Sequence, residues 1–173
     1  FKEIFNPEYH AERLEELLSL LLETKIRIKQ ILPNDSVRLA DEYTLLITDI
    51  VIETEDGRIA NLEIQKIGYA FPGQRTACYS ADLLLRQYKR VKDRKRRENK
   101  KFNYRDLKKV YTIVLFEKST REFHEPPDKY LHYGEHTYDT GLRLETLQKS
   151  VLVALDIFQK NIENRSIENK LGA

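Results

Sequence analysis

The sequence predicts an α/β fold in which a mixed central sheet is flanked by helices. Three observations lead to this prediction. Leucines recur at helical spacing between Leu14 and Leu22, two apolar runs are joined by the turn Glu55-Asp56-Gly57, and a long helical pattern from Pro72 precedes an apolar run over residues 108–116. We expect a hairpin and a further strand to share one sheet, with the helices packed against it.

Composition sets the scale of the fold. At 173 residues and 40% hydrophobic content, the chain suffices for one compact domain over residues 1–173. It opens at Phe1 and has no Met, so we interpret it as a fragment of a longer protein. No apolar run approaches the roughly 20 residues that cross a bilayer, so no membrane partner is expected. The single cysteine, Cys78, excludes an internal disulfide, fits a cytoplasmic protein, and is interpreted as packed.

The first elements follow from local signals. Asn6-Pro7-Glu8 is typical of a helix start, and the leucines that follow predict an amphipathic helix to about Glu23. Alternating isoleucines predict an edge strand over residues 25–32. Residues 43–54 and 58–67 flank the Asp-Gly turn and predict a hairpin.

A second helix is predicted from Pro72 to Arg90 or beyond. Its expected core face comprises Ala77, Ala81, Leu84 and Tyr88. Its opposite face is an arginine-rich stripe comprising Arg75, Tyr79, Asp82, Arg86 and Arg90. Residues 108–116 predict a buried strand, residues 117–142 a surface loop and hairpin, and residues 150–158 a strand that returns to the sheet.

Three polar residues of the hairpin form the candidate catalytic set. Glu63 and Gln65 fall on one side of their strand because side chains alternate. Asp49 lies in the apolar run of the other strand, where an unpaired buried carboxylate would be costly. The hairpin can bring all three together, with Asp49 and Glu63 as ligands for Mg²⁺ or, in its place, Mn²⁺. Such a metal can carry phosphodiester cleavage, and Arg75 and Tyr79 could donate to the phosphate.

Positive charge is concentrated in residues 86–101, which we call the basic block. It contains ten basic and two acidic residues, a local net charge of +8, whereas the rest of the chain has 20 basic against 26 acidic residues. This asymmetry is typical of a protein that binds a polyanion such as DNA. The proposed DNA contacts are Arg75, Tyr79, Arg86, Arg90, Arg94, Lys95, Arg96 and Arg97. The alternative is a solvated helix extension.

The hairpin with its following helix resembles the PD-(D/E)XK nuclease superfamily. The residues that carry the likeness are Thr48-Asp49, Asp56-Gly57, Asn61-Leu62-Glu63-Ile64-Gln65-Lys66, Arg75 and Tyr79. The chain looks most like the bacterial recombination-promoting nuclease and transposase branch. The resemblance implies a restriction-endonuclease-like core, Mg²⁺-dependent DNA cleavage, and a role in transposition or recombination. It also implies that Asp49 and Glu63 match the metal-binding acids.

Two positions depart from the superfamily pattern. Thr48 replaces a proline that binds nothing, and Gln65 stands where most of the superfamily has lysine. Gln65 has no positive charge, so activation of water must depend more on the metal. An acid of the first helix assists the metal in many relatives, and the candidates here are Glu12, Glu15 and Glu16.

Several alternatives stay open. A nuclease-fold module without turnover would bind or assemble on DNA, and a protein-interaction domain would use Tyr69, Phe71 and the aromatic segment 130–138. The sequence does not decide whether the protein is a homodimer. A zinc cluster is disfavoured because the spacings fit no zinc pattern; its members would be His124, His132, His136, Asp128 and Glu135. No serine-hydrolase elbow or glycine-rich phosphate loop is present.

Overall fold

In the described part of the chain, a six-stranded mixed sheet with three helices forms the fold, which confirms the predicted α/β class. The computed structural model describes residues 9–32, 47–65, 72–126 and 129–163, excepting the side chains of residues 47–49. The helices are α1 (Ala11–Leu21), α2 (Pro72–Arg97) and α3 (Leu155–Glu163). The strands are β1 (Ile28–Leu32), β2 (Ile47–Thr54), β3 (Ile59–Gln65), β4 (Val110–Phe116), β5 (Leu131–Glu135) and β6 (Gln148–Ala154), in the order β1-β2-β3-β4-β6-β5.

The predicted hairpin is confirmed by the antiparallel pairing of β2 and β3. Its turn is closed by a hydrogen bond of 2.9 Å from the Gly57 N–H to the Thr54 carbonyl. Gly57 has φ +85°, which other residues adopt only with strain. The Thr54 hydroxyl also donates to Asp56 Oδ1 at 2.5 Å. Local chemistry therefore fixes where the two strands reverse.

Helix α1 packs its leucine face on one side of the sheet. Leu14, Leu18 and Leu21 are buried in the main core together with inward-facing residues of β2, β3, β4 and β6. The helix begins at Ala11 with His10 as its N-cap residue, and the predicted start at Asn6-Pro7-Glu8 lies outside the described residues. The amphipathic helix of the sequence analysis is confirmed in type and in its buried face.

The centre of the sheet is parallel, because β3 pairs with β4 and β4 pairs with β6 in the same direction. The strand predicted over residues 150–158 was too long: β6 ends at Ala154 and α3 begins at Leu155. The apolar run of Leu152, Val153 and Ala154 continues with Leu155 into the helix, so the sequence does not mark the boundary between strand and helix. In α3 the buried residues are Ile157 and Asn161, four positions apart as a helix requires.

Helix α2 lies across the opposite face of the sheet, and its predicted core face was wrong. The buried residues are Thr76, Ser80, Leu83, Gln87 and Val91, one position away from the predicted apolar set. The reason is that the sheet supplies polar partners: the Ser80 hydroxyl accepts a hydrogen bond of 3.1 Å from Gln148 Nε2. Gln87 donates to the Gly57 carbonyl at 3.2 Å and accepts from the Lys108 N–H at 2.8 Å.

Cys78 is exposed, so the interpretation of a packed cysteine was wrong. Lys66, Tyr69 and Phe71 lie outside the described residues. Within the ranges that are described, no helix is long and apolar enough to cross a membrane.

Candidate functional site

Glu63 and Gln65 lie side by side in the second half of β3, and we call them the acid–amide pair. Gln65 Nε2 donates a hydrogen bond of 2.7 Å to Glu63 Oε1. Glu63 is 0% exposed and Gln65 is 4% exposed. The sequence placed the two side chains on one face of a strand, and their contact confirms it. A carboxylate withdrawn from water to this degree requires polar or charged partners.

The pairing of β2 with β3 is irregular beside Glu63. Ile47 pairs with Ile64 and Ile50 pairs with Leu62. Between these two pairs, β2 has two residues and β3 has only one, Glu63. These two residues are Thr48 and Asp49. An extra residue of this kind is a β-bulge, a feature over-represented next to active sites. The backbone of Asp49 is thus across from Glu63, while its side chain lies outside the described residues.

Polar side chains continue along the same face below Glu63. Asn61 precedes Glu63 by two residues and pairs with Thr112 of the adjacent parallel strand. Asn61 is 4% exposed and Thr112 is 0% exposed. Within the described part of the chain, neither Asn61 Oδ1 nor Thr112 Oγ1 has a hydrogen-bond partner. The sequence analysis missed both residues, although the alternation of Asn61, Glu63 and Gln65 is a signal that could have indicated the first.

Arg75 and Tyr79 form a contact on the first turns of α2, as their spacing of four residues predicts. Arg75 Nη2 donates to the Tyr79 hydroxyl at 2.9 Å, and the guanidinium carbon lies 5.8 Å from the centre of the tyrosine ring. The tyrosine therefore fixes the orientation of the guanidinium, a group that binds phosphate well.

The remaining proposed DNA contacts divide into paired and exposed residues. Arg86 forms an ion pair of 2.9 Å with Asp82, Arg90 one of 2.8 Å with Glu53, and Lys95 one of 2.8 Å with Asp106. The exposed members of the basic block include Arg94, Arg96 and Arg97. Helix α2 rises about 33 Å over the 22 residues from Arg75 to Arg97. Arg75 is therefore far from the exposed arginines of the basic block.

A buried carboxylate that the sequence analysis did not single out anchors one end of the basic block. Glu53 of β2 accepts hydrogen bonds from Gln30 Nε2 at 2.6 Å and from Arg90 Nη2 at 2.8 Å, and Lys29 Nζ lies 3.6 Å away. Burial acts to raise the pKa of Glu53, but the hydrogen bonds from Gln30 and Arg90 and the nearby positive charges outweigh it, so the pKa is lowered. Arg90 therefore has a structural partner that joins α2 to the sheet.

The acids of α1 are differently placed. Glu15 accepts hydrogen bonds of 2.7 Å from the Ile28 N–H and from Arg27 Nη1, one on each oxygen. This carboxylate ties the middle of α1 to the start of β1. Glu12 and Glu16 are exposed. Of the three candidates, Glu15 has a structural role that engages its whole carboxylate.

His124 and His132 contact different groups in the structure. His124 Nε2 lies 3.1 Å from the Ser119 hydroxyl and 3.4 Å from Asp156 Oδ2. His132 packs its ring against Phe123, with 5.3 Å between ring centres. Asp128 lies outside the described residues. No metal-sized group of three His, Cys, Asp or Glu side chains occurs among those that are described.

A strand hairpin with Glu-x-Gln, followed by a long helix, is the arrangement that the resemblance predicted. The structure adds a bulge opposite the glutamate. A family model described as PD-(D/E)XK nuclease family transposase matches residues 1–171. The chain belongs to this family. No curated protein and no solved structure gives a match.

Membership in the PD-(D/E)XK nuclease family transposases confirms the resemblance seen in the sequence. The six-stranded mixed sheet with three helices is consistent with the restriction-endonuclease-like fold that the family implies. Nucleases of this kind act on DNA and generally use divalent metal ions. The acid–amide pair supplies oxygen donors of the type that such ions prefer.

Proposed function

We propose that this protein is a Mg²⁺-dependent DNA endonuclease that serves transposition or recombination in the bacterial cytoplasm. The observation that carries the proposal is the buried acid–amide pair on β3 beside the bulge of β2. Family membership supports a nuclease or transposase-related activity.

Asp49 and Glu63 would hold the ion, and the donor set fits one. Both residues carry carboxylates, the hard oxygen ligands that Mg²⁺ and Mn²⁺ select. When bound, the ion would polarise the scissile phosphate and activate a water molecule. The bulge supports a shared ion because it places the backbone of Asp49 across from Glu63.

Gln65 orients the glutamate in this proposal. Its Nε2 donates to one carboxylate oxygen of Glu63, which limits rotation of that carboxylate. Gln65 cannot exchange a proton or carry charge at neutral pH. A lysine at this position could take a proton from the attacking water, and Gln65 cannot fill that role. Arg75, held by Tyr79, would donate to the phosphate and offset the negative charge that grows there.

Nicking of supercoiled plasmid tests this proposal. Asp49→Ala and Glu63→Gln should each abolish Mg²⁺-dependent cleavage, because each removes a charged ligand of the ion. Glu55→Gln is the matched control: Glu55 is exposed in the turn that joins β2 and β3, and its variant should cleave normally. Circular dichroism and thermal melts establish that the variants fold. Undiminished cleavage by the folded Asp49 variant would refute the mechanism.

A second function has one observation in its favour. The Gln65 amide already engages a Glu63 oxygen, as in a site that no longer needs that oxygen for a metal. The protein would then be a catalytically inactive, nuclease-fold module for DNA binding or assembly. Calorimetric titration with Mn²⁺ separates the two functions. A working site gives binding heat that Glu63→Gln removes, whereas an inactive module gives salt-sensitive DNA binding and no Glu63-dependent heat.

A further inference from the structure

Three aromatic rings form a cluster beside the C-terminal half of α2, and we call this cluster the aromatic platform. Tyr88 projects from the helix, and Phe102 and Tyr104 follow in the connection to β4. The rings of Tyr88 and Tyr104 are stacked, with 6.2 Å between centres and 20° between planes. Phe102 meets both edge-on, at 5.2 Å from Tyr88 and 5.3 Å from Tyr104. Tyr104 is nevertheless 73% exposed, so the outermost ring presents a large uncovered surface.

The connection that carries Phe102 and Tyr104 is held firmly against α2. Asn103 and Asp106 form a reciprocal capping box around a 3₁₀ turn, with the Arg105 N–H donating to Asn103 Oδ1 at 2.9 Å. Asp106 also accepts a hydrogen bond of 2.8 Å from Lys95 Nζ of the helix. This bond and the one from the Asn103 backbone lower the pKa of Asp106. The platform is therefore preorganised rather than a loose loop.

Positive charge surrounds the platform. Residues 88–105 contain ten basic residues against two acidic ones. The exposed basic side chains here include Lys89, Lys92, Arg96, Lys101 and Arg105. Lys92 lies over the Tyr88 ring, with its Nζ 5.3 Å from the ring centre. A partner with many negative charges and flat apolar groups would complement both the basic side chains and the aromatic rings.

We infer that the aromatic platform binds single-stranded nucleic acid, with a base stacked on Tyr104 and the flanking phosphates held by the surrounding lysines and arginines. Aromatic rings within a basic surface bind single strands in this way because every base has a flat face that an unpaired strand leaves open. A duplex keeps its bases stacked on each other, so it would gain only the electrostatic part. The inference adds a binding site to the proposed function and does not require cleavage.

This site is separate from the acid–amide pair. Gln87, the neighbour of Tyr88, is bonded to the Gly57 carbonyl at the hairpin turn. Glu63 lies six residues further along β3, which corresponds to about 20 Å. A strand bound on the platform would therefore be held at a distance from the candidate metal site, where it could act as an anchor for a single-stranded end.

Fluorescence anisotropy with a labelled oligothymidylate of about 15 nucleotides tests the inference. EDTA in the buffer prevents cleavage, so the result is independent of the nuclease proposal. Tyr104→Ala should weaken binding by about 5- to 150-fold, the range for loss of one stacked base, and Tyr104→Phe should retain it. Tyr133→Ala is the matched control because Tyr133 is 55% exposed on β5, and it should bind as the parent does.

Two further measurements separate stacking from charge. Tyr104→Ala should leave the salt dependence of binding unchanged, whereas Arg105→Gln should reduce its slope by about 0.7, the value for one phosphate contact on a single strand. Photo-crosslinking with a 5-iodouracil oligonucleotide should label the peptide that contains Tyr104. The inference is overturned if Tyr104→Ala binds the single strand as tightly as the parent, or if it loses equal affinity for a duplex of the same length.

Discussion

The buried carboxylate of Glu53 gives the sharpest test of how α2 is attached to the sheet. Its side chain is 8% exposed and joins three elements, through Lys29 and Gln30 of β1 and Arg90 of α2. We predict that Glu53→Gln destabilises the protein by about 1–2 kcal/mol at pH 7. A hydrogen bond to a charged group is worth about 1 kcal/mol more than a neutral one, and two such bonds are affected. The lower cost of burying an amide offsets part of the loss.

Urea denaturation followed by circular dichroism measures this change. With a typical m-value of about 2 kcal/mol/M, the midpoint should fall by about 0.5–1 M. Glu135→Gln is the control, because the Glu135–Lys149 ion pair lies on the exposed edge strand β5, where Glu135 is 57% exposed. Such a surface pair contributes well under about 1 kcal/mol.

The destabilisation caused by Glu53→Gln should also depend on pH, and the lowered pKa of Glu53 gives the direction of that dependence. The folded-state pKa of Glu53 is lowered from 4.5, so its ionisation stabilises the protein above pH 4.5. That stabilisation is lost as the pH falls from 4.5 through the folded-state pKa. The difference between parent and Glu53→Gln should therefore shrink between pH 7 and pH 3. Equal stability at pH 7, or a difference that is the same at both pH values, would refute the role assigned to this carboxylate.

Two further substitutions test the packing on the two faces of the sheet. Leu18→Ala should destabilise the protein by about 3–5 kcal/mol because Leu18 is buried against the sheet, at 1% exposure. The control Leu20→Ala changes a side chain that is 40% exposed and should cost far less. Similar urea midpoints for the two variants would contradict this prediction. Gln87→Leu should destabilise the protein by about 1–3 kcal/mol because it leaves the Lys108 N–H without its acceptor. Gln74→Leu, at an exposed position of the same helix, is the control. Equal melting temperatures for the two variants would show that the Gln87 bond is unimportant.

The positioning of the basic block illustrates what sequence patterns cannot give. Its charges were evident in the sequence, but Arg90 and Lys95 have carboxylate partners on β2 and in the connection to β4. Those partners are 37 and 11 residues away along the chain. The crossing of α2 over the sheet brings Arg90 to Glu53, and the connection that folds back along α2 brings Asp106 to Lys95. The same crossing decides that Thr76, Ser80 and Gln87 face inward, which a rule that buries apolar residues cannot predict.

The sequence by itself determined the local elements of this protein: the leucine face of α1, the Asp-Gly turn, the two hairpin strands, and the shared face of Glu63 and Gln65. These depend on near neighbours in the chain, whose spacing the periods of helix and strand fix directly. The tertiary structure alone decided the strand order, the buried face of α2, the Glu53 contacts and the bulge beside Asp49. Each of these depends on which distant segments meet, and that is set by the packing of the whole sheet and its helices rather than by any local pattern.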